Sequence, residues 1–462
     1  MTVAEPGRRT VIEPFKVKVC EPLPFLDRAT RERVLAEAGG NLFLVHAKDV
    51  TFDFLTDSGT TAMSAAQWAA MMTADESYAG SRSFERFEGV VQRVTGFPFV
   101  VPTHQGRAAE RLLFSTLVKP GHVVPSNNHF DTTRANLEQL GATALDLVIR
   151  EGTDPANPHP FKGNIDLARL EACCREHAGR IPLGMITITN NTGGGQPVAL
   201  ENLRGAAAIY RRHGIPFVID ACRFAENAWF VKAREPGQGE RGVREIAREV
   251  FDLADATLIS AKKDGMVNIG GFIATRRADW LPALRSLLIL TEGFPTYGGC
   301  SARDLEAMAV GLHESLEPSY LEYRIRSTAY LADGLERNGI RTVRPPGGHA
   351  VYIDARALLP HIPPGQYPGQ ALACELYLHG GIRSCEIGSV MFGKLARDGS
   401  FVPARNELVR LAIPRRVYTQ SHVDRIIELA ADVGARAKEL RGLRMTYRPQ
   451  YLPHFTGRFE PV

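Results

Sequence analysis

Through the middle of this chain, apolar residues fall into short runs separated by stretches of helical spacing. The runs "IPLGMITIT" (181–189), "IPFVIDA" (215–221), "ATLISA" (256–261) and "GGFIAT" (270–275) are rich in β-branched residues. Between two of them lies "LENLRGAAAIYRRHG" (200–214), a helical pattern. Apolar strands alternating with helices predict an α/β unit built on a mainly parallel sheet covered on both faces. Ahead of this region, residues 1 to about 60 carry many prolines and charges and predict an extended arm leading into a short helix, "RATRERVLAEAGG" (28–40).

Beyond residue 320 the pattern changes. A long helical stretch, "YLEYRIRSTAYLADGLERNG" (320–339), is followed by a strand at "GHAVYIDA", a helix at "GQALACELYLHGG", a strand at "LVRLAIP" and an amphipathic helix over 421–440. The expected division is an arm and part of a small domain at 1–60, a large domain at 61–320, and a small α+β domain at 321–462.

Composition narrows the class. The chain has 462 residues, with 55 Lys plus Arg against 51 Asp plus Glu, a formal charge of +4. That excess is too small and too scattered to suggest nucleic acid or a membrane surface as a partner. The seven cysteines include no C-x-x-C pair, so reduced thiols in cytoplasm are the simplest expectation. The first residues lack the apolar core of a signal peptide, and no run approaches the length of a membrane span.

Candidate chemistry gathers at the ends of the runs. "VIDACRFAEN" (218–227) ends a strand on Asp220, and "LISAKKDG" ends another ahead of Lys262 and Lys263. Alone, Asp220 reads as a cap or ion-pair residue and Lys263 as solvated surface. As an ordered pair at strand ends, where ligands of open α/β sheets collect, they suit pyridoxal phosphate. That cofactor needs an acid beside its pyridinium nitrogen and a lysine for its Schiff base. "PTHQGRAAE" (102–110) places Gln105, Gly106 and Arg107 at a helix start, a candidate phosphate cradle. "TNNTGGGQP" (189–197) does not match G-x-G-x-x-G, which disfavours a dinucleotide fold. "RLAIPRRVYT" (410–419) offers Arg415 and Arg416, suited to capture of a carboxylate.

As an ordered set, "LTDSGT", "DESYAGSRS", "PTHQGR", "GGQPV", "RFAENA", "SAKKD", "GFPTYGG", "ACELY", "EIGS", "IPR" and "HFTGRF" resemble the β-eliminating lyases from about residue 10 to the C-terminus. One branch of that family releases indole from tryptophan and the other phenol from tyrosine. The resemblance implies the fold-type-I pyridoxal-phosphate architecture, like that of aspartate aminotransferase, with a seven-stranded sheet in the large domain. It also implies a homotetramer and activation by potassium or another monovalent cation.

By matching position, the resemblance makes Lys263 the Schiff-base lysine, with Ser260 and Lys262 near the cofactor phosphate and substrate. Asp220 faces the pyridine nitrogen, Arg223 and Asn191 the 3′-oxygen, and Gln105, Gly106 and Arg107 the phosphate, while Phe130 stacks on the ring. Arg415, with Thr56 and Ser58, meets the substrate carboxylate. Tyr78 is a catalytic residue supplied by a neighbouring subunit, and Glu76 with the carbonyls of Gly59 and Asn268 forms the cation site.

Three positions divide the branches. Ile387 stands where phenol-releasing members carry an arginine for the phenolic oxygen. Asp131 follows Phe130 and supplies a carboxylate for the indole N–H, and His454 stands where those members have phenylalanine. The expected activity is therefore elimination of indole from L-tryptophan, leaving pyruvate and ammonia; the alternative is release of phenol from tyrosine or action on a related aromatic amino acid. His129, Arg134, Cys222, Ala412 and Gly193 depart from the usual pattern without removing a catalytic group.

Overall fold

The computed structural model describes residues 11–396, 398–450 and 452–462. They form two compact units: one spans Ser58–Leu321, and the other combines the described residues up to Asp57 with Glu322–Val462. The division falls inside the helix Pro318–Arg337.

Seven strands build the first unit: β1 (Phe99–Thr103), β2 (Val123–Ser126), β3 (Thr143–Asp146), β4 (Gly184–Thr187), β5 (Phe217–Asp220), β6 (Ala256–Ser260) and β7 (Gly271–Thr275). Five of them form one sheet in the order β1-β7-β6-β5-β4, and β2 with β3 makes a separate parallel pair. β2 lies alongside β4, where the Asn127 carboxamide accepts from Thr187 N (2.9 Å) and donates to Thr187 O (3.0 Å). A side chain thus stands in for the ladder just past Pro125, which has no N–H to offer a neighbouring strand.

The sheet is mainly parallel, as the sequence predicted, with one strand reversed. β7 runs antiparallel to both β1 and β6. The reason lies in the link 261–270, which holds no helix. A parallel return needs a crossover of roughly a dozen residues or more, usually helical, so a shorter link sends the chain back antiparallel. This reversal keeps the two lysines at the sheet edge.

The helices that matter for the site are α1 (Gly106–Leu117), α2 (Asp131–Gln139), α3 (Leu200–Arg212) and α4 (Phe224–Arg234). All five residues of β6 and all four of β5 are buried. One core joins Ile186, Ile219, Ile259 and Phe272 of the strands to Leu203 and Tyr210 of α3, and to Phe224 and Val231 of α4. A second cluster packs Ala109, Leu113 and Phe114 of α1 against Val101, Val218, Leu258 and Ile273. Sheet residues alternate between the two clusters, as a sheet covered on both faces requires.

In the other unit, β8 (Ala350–Asp354), β9 (Cys385–Ile387) and β10 (Leu408–Ala412) form an antiparallel sheet in the order β9-β10-β8. The last long helix runs Gln420–Ala435 and gives way to a single 3-10 turn at Ala437–Glu439, short of the 421–440 span expected from its apolar spacing. Arg436, at the break, has left helical geometry (φ −107, ψ 15).

Two buried acids lie at the end of β9. Glu386 accepts from Val390 N (3.0 Å) and Met391 N (3.1 Å), and Glu407 accepts from Ser389 N (3.2 Å) and the Ser389 hydroxyl. Gly388 separates them: a Cβ there would lie 2.5 Å from Glu407 Oε2 and 2.7 Å from Glu386 Oε1, so only glycine admits both carboxyls. Burial, reinforced by the charge of Glu407, pushes the Glu386 carboxyl up to about 8.

The sign of the pH effect follows. Folded Glu386 keeps its proton to about 8, whereas the unfolded chain releases it near the ordinary 4.5. Its contribution to stability is full below 4.5 and is lost as pH rises through 8. Glu386→Gln, which never ionises, should shrink the fall in Tm between about pH 6 and about pH 9 by roughly 2–4 °C for each kcal/mol of penalty removed. Thermal unfolding of both proteins at the two pH values measures this; an unchanged fall would place the titrating group elsewhere.

Candidate active site

The carboxyl ends of β5 and β6 bring the sequence-selected acid and lysines to one edge. Asp220 ends β5; its carbonyl accepts from Ile188 N at 2.8 Å, and its carboxylate from Cys222 N at 3.4 Å. Ser260 ends β6, and its N–H donates to Cys222 Sγ at 3.1 Å. The sulfur therefore ties the two strand ends together. Cys222 departs from the resembled pattern, yet burial and the nearby Asp220 raise its thiol far above the ordinary value, so it stays protonated and inert.

The lysine loop is fixed from several sides. Lys263 N donates to Ser260 O (3.3 Å), and Lys263 O accepts from Met266 N (2.9 Å). Asp264 accepts from Ala225 N (2.8 Å) at the start of α4, while Lys262 O accepts from Gly59 N (2.8 Å). Met266 takes a left-handed φ of 52°, a strained turn for a side chain of this size. These ties fix the backbone of the lysine loop at Lys263.

α1 meets this loop at its first residue. Gln105, extended at φ −166°, bridges to Gly270, and Gly270 N donates to His104 O at 2.7 Å. Gly106 packs so close to Ser260 that an added Cβ would sit 2.5 Å from the serine Cβ. Gly106 and Arg107 thus occupy the first turn of α1, where helix amides have no intrahelical acceptor, beside the two lysines.

Charge marks the spot. The Lys262 ammonium is pushed below its ordinary value by burial first, then by the neighbouring charges of Lys263 and Arg107. Three cations beside a helix N-terminus repel one another and attract a dianion. A phosphate would relieve the repulsion, and the Asp220 carboxylate is an acceptor for a protonated ring nitrogen. His129 Nε2, Thr189 Oγ1 and Asn190 Nδ2 are buried without a hydrogen-bond partner, all just past the carboxyl ends of β2 and β4. The donor set fits pyridoxal phosphate.

The other residues singled out in this unit are placed as follows. Arg223 and Asn191 are both buried, and Arg223 N donates to Ile188 O at 3.2 Å. Phe130 is half-buried and begins α2, with buried Asp131 as its first residue. Ser58 is half-buried. Asn268 Nδ2 donates to the carbonyls of Gly59 (2.9 Å) and Thr61 (3.1 Å), so Gly59 and Asn268 meet. Glu76 pairs instead with Arg303 (2.7 Å) and accepts from the amides of Ala302 and Arg303 at a helix start. Tyr78 is exposed and packs on Phe294 and Tyr297 of the "GFPTYGG" loop, with ring centroids at 5.4 and 5.3 Å. Among the described residues no group of three or more His, Cys, Asp or Glu could hold a metal ion.

In the other unit, Arg415 is fully buried and pairs with Asp57 Oδ2 at 2.9 Å, with half-buried Thr56 next in sequence. Ile387 is buried among Val343, Tyr352, Cys385, Leu408 and Ala412. His454 is buried beside Phe43 and Phe455, with ring centroids at 5.6 and 4.1 Å.

Two residues of these neighbourhoods escaped the sequence reading. Asp57 sits in "LTDSGT" like an ordinary turn aspartate, and nothing local reveals its arginine partner. Glu110 carried a signal: it is a lone acid inside "RAAERLLF", where Ala108, Ala109, Leu112, Leu113 and Phe114 are all buried. Its carboxyl is pushed up to about 7 by burial and by Asp220, an effect opposed by Thr133, Thr132 and Lys263.

Comparison with known proteins places this geometry. A profile of the family described as "Beta-eliminating lyase" matches residues 53–429. A protein named tryptophanase from Hyphomonas neptunium is 57% identical over 98% of this chain and 99% of its own length. One of the same name from Rhodobacter capsulatus is also 57% identical, over 98% and 100%. A tyrosine phenol-lyase from Symbiobacterium thermophilum is 47% identical over 98% and 100%. Among solved structures, a serine palmitoyltransferase of Sphingomonas wittichii superposes with a TM-score of 0.59 at 14% identity, covering 88% of this chain and 96% of that one. At that identity the likeness speaks for the fold alone, the fold-type-I architecture.

The tight approach of α1 to the lysine loop yields a direct test. Gly106→Ala forces a methyl into the space of Ser260 and should destabilise the protein by about 1–3 kcal/mol, the usual cost of overpacking. A lower urea midpoint with an unchanged m-value is the expected result; an unchanged midpoint would mean the two backbones are not held at this distance.

Proposed function

This chain belongs to the β-eliminating lyase family, and on that premise we propose that it is a carbon–carbon lyase that cleaves L-tryptophan to indole, pyruvate and ammonia with pyridoxal phosphate. Held by Asp220 and the first turn of α1, the cofactor would supply an electron-accepting ring for the substrate's α-carbon. Asp220 keeps the ring nitrogen protonated. Arg107, Lys262 and the amides of Gly106 and Arg107 hold the phosphate, with Gln105 and Ser260 beside them. Phe130 covers a ring face, and Asn191 with Arg223 serves the 3′-oxygen.

The protein's own groups then move protons. Lys263, freed as an amine, takes the proton from Cα. Indole leaves only as a neutral molecule, so its C3 must be protonated before the Cβ–C3 bond breaks. Asp131 accepts the indole N–H and steadies the positive charge that this protonation places on the ring. Tyr78 and His454 complete the proton-handling set, Tyr78 as a contribution from a neighbouring subunit of a homotetramer. Arg415, with Thr56 and Ser58, receives the substrate carboxylate. Glu76 and the carbonyls of Gly59 and Asn268 are assigned to a potassium ion, a hard cation suited to oxygen ligands.

One observation carries the choice of the indole branch. Ile387 lies 4% exposed in an apolar cluster. Indole has no oxygen and suits such a wall. A phenolic oxygen needs a donor, and a charged side chain at this position would be desolvated at a cost of several kcal/mol. The higher identity to proteins named tryptophanase supports the same choice.

The test is a substrate panel of tryptophan, tyrosine, cysteine and serine, scored by pyruvate from purified protein with pyridoxal phosphate and potassium. Tryptophan should react fastest and give indole and pyruvate in equal amounts; faster phenol release from tyrosine would reverse the assignment. Borohydride should fix the cofactor to the peptide containing Lys263. In Lys263→Ala that adduct should vanish and turnover should fall by about 10²–10⁴-fold, the usual worth of a positioned acid–base group.

A further inference from the structure

We propose that Glu110 is a positioning residue that locks the first turn of α2, and with it Asp131, at a fixed distance from the lysine loop. The inference rests on the reading of Asp131 as the carboxylate facing indole, and it deepens that reading. Glu110 accepts hydrogen bonds from the hydroxyl of Thr133 at 2.5 Å and that of Thr132 at 3.1 Å, and from Asn136 Nδ2 at 3.4 Å. All three donors lie in the first two turns of α2. The N-cap itself gives none: Phe130 occupies it and makes no side-chain hydrogen bond. Ser, Thr, Asp or Asn would ordinarily cap the helix there.

Glu110 is also bound to the other side of the site. It lies on the same helix as Gly106, one turn on, and Gly106 is pressed against Ser260. The chain of contacts therefore runs from the lysine loop through Ser260 and Gly106 to Glu110, and on through the two threonines to Thr132 N. That amide donates to Asp131 Oδ1 at 2.6 Å and sets the direction of the Asp131 carboxyl. A neutral acceptor would perform a purely structural task more cheaply, because burying a carboxyl is costly. A carboxyl can serve three donors at once, and Gln has only one oxygen with which to do so.

Leaving-group chemistry provides the test. Tryptophan needs Asp131, because its ring must be protonated at C3 before it departs. In 3-chloroalanine, chloride leaves with the bonding pair and needs no proton. Misplacing Asp131 should slow the first reaction and spare the second. In Glu110→Ala, kcat for indole release should drop by about 10–100-fold, the scale of a misplaced catalytic group, while chloride elimination changes by less than about threefold. Glu110→Gln, which keeps one acceptor oxygen, should recover only part of the loss. Thr133→Val, which removes a donor and keeps the shape, should show the same selectivity and add little to Glu110→Ala. Amides 132–135 should exchange hydrogen faster in Glu110→Ala without substrate.

Equal losses on both substrates, or no loss on either, would overturn the role of Glu110. Wild-type protein that eliminates chloride but releases no indole would instead overturn the functional reading on which it rests.

Discussion

The site depends on one close approach, that of Gly106 to Ser260. It brings the positive end of α1 against the end of β6 and confines Arg107, Lys262 and Lys263 to a small volume beside Asp220. Like charges are not gathered without cause. Lys262 is pushed below its ordinary value by burial first and then by the charges of Lys263 and Arg107, a cost the fold bears. The sheet core supplies the rigidity for this: β5 and β6 are buried throughout, so their ends cannot spread to relieve the strain. An anion-binding site made this way is preorganised, and the favourable energy of binding is not consumed in assembling it.

Much of this was legible in the residues. The alternation of apolar runs and helical stretches carried the α/β architecture, because a strand buried on both faces leaves a run that no amphipathic helix produces. Asp220 and the lysine pair stood out as polar residues at the ends of such runs. The reversal of β7 was not read, although the shortness of 261–270 implied it; direction is a property of the link and not of the strand. The partial separation of β2 and β3 turned on Pro125 and on Asn127, a side chain whose role exists only when two strands meet. Glu110 and Asp57 were missed for a related reason. Each acts on a partner distant in sequence, and local pattern carries no trace of such a partner.

Buried acids recur in this protein, and they do different things. Asp220 sits beside cations. Glu110 sits beside Asp220 and is held by hydroxyls, so its carboxyl rises to about 7. Glu386 sits beside Glu407, with backbone amides as donors, and its carboxyl rises to about 8. Burial is the leading cause in both, and a neighbouring acid adds to it, Asp220 for Glu110 and Glu407 for Glu386. Hydroxyl and amide donors reduce the cost of a buried carboxylate without removing it.

Selectivity for an aromatic leaving group rests on what the protein withholds. A site that must discriminate indole from phenol cannot rely on shape alone, since an apolar pocket distinguishes rings of similar size by only about 1–3 kcal/mol. Polarity achieves more. If Ile387 walls the leaving-group pocket as proposed, its apolar setting would leave a phenolic oxygen without a donor, and an oxygen so stranded loses its hydration with nothing in return. The role proposed for Asp131 would be the complementary one, an acceptor for an N–H that phenol lacks. On that proposal, phenol chemistry would need two changes of opposite kind, a donor added at Ile387 and an acceptor removed at Asp131, since either alone would leave a polar group unpaired.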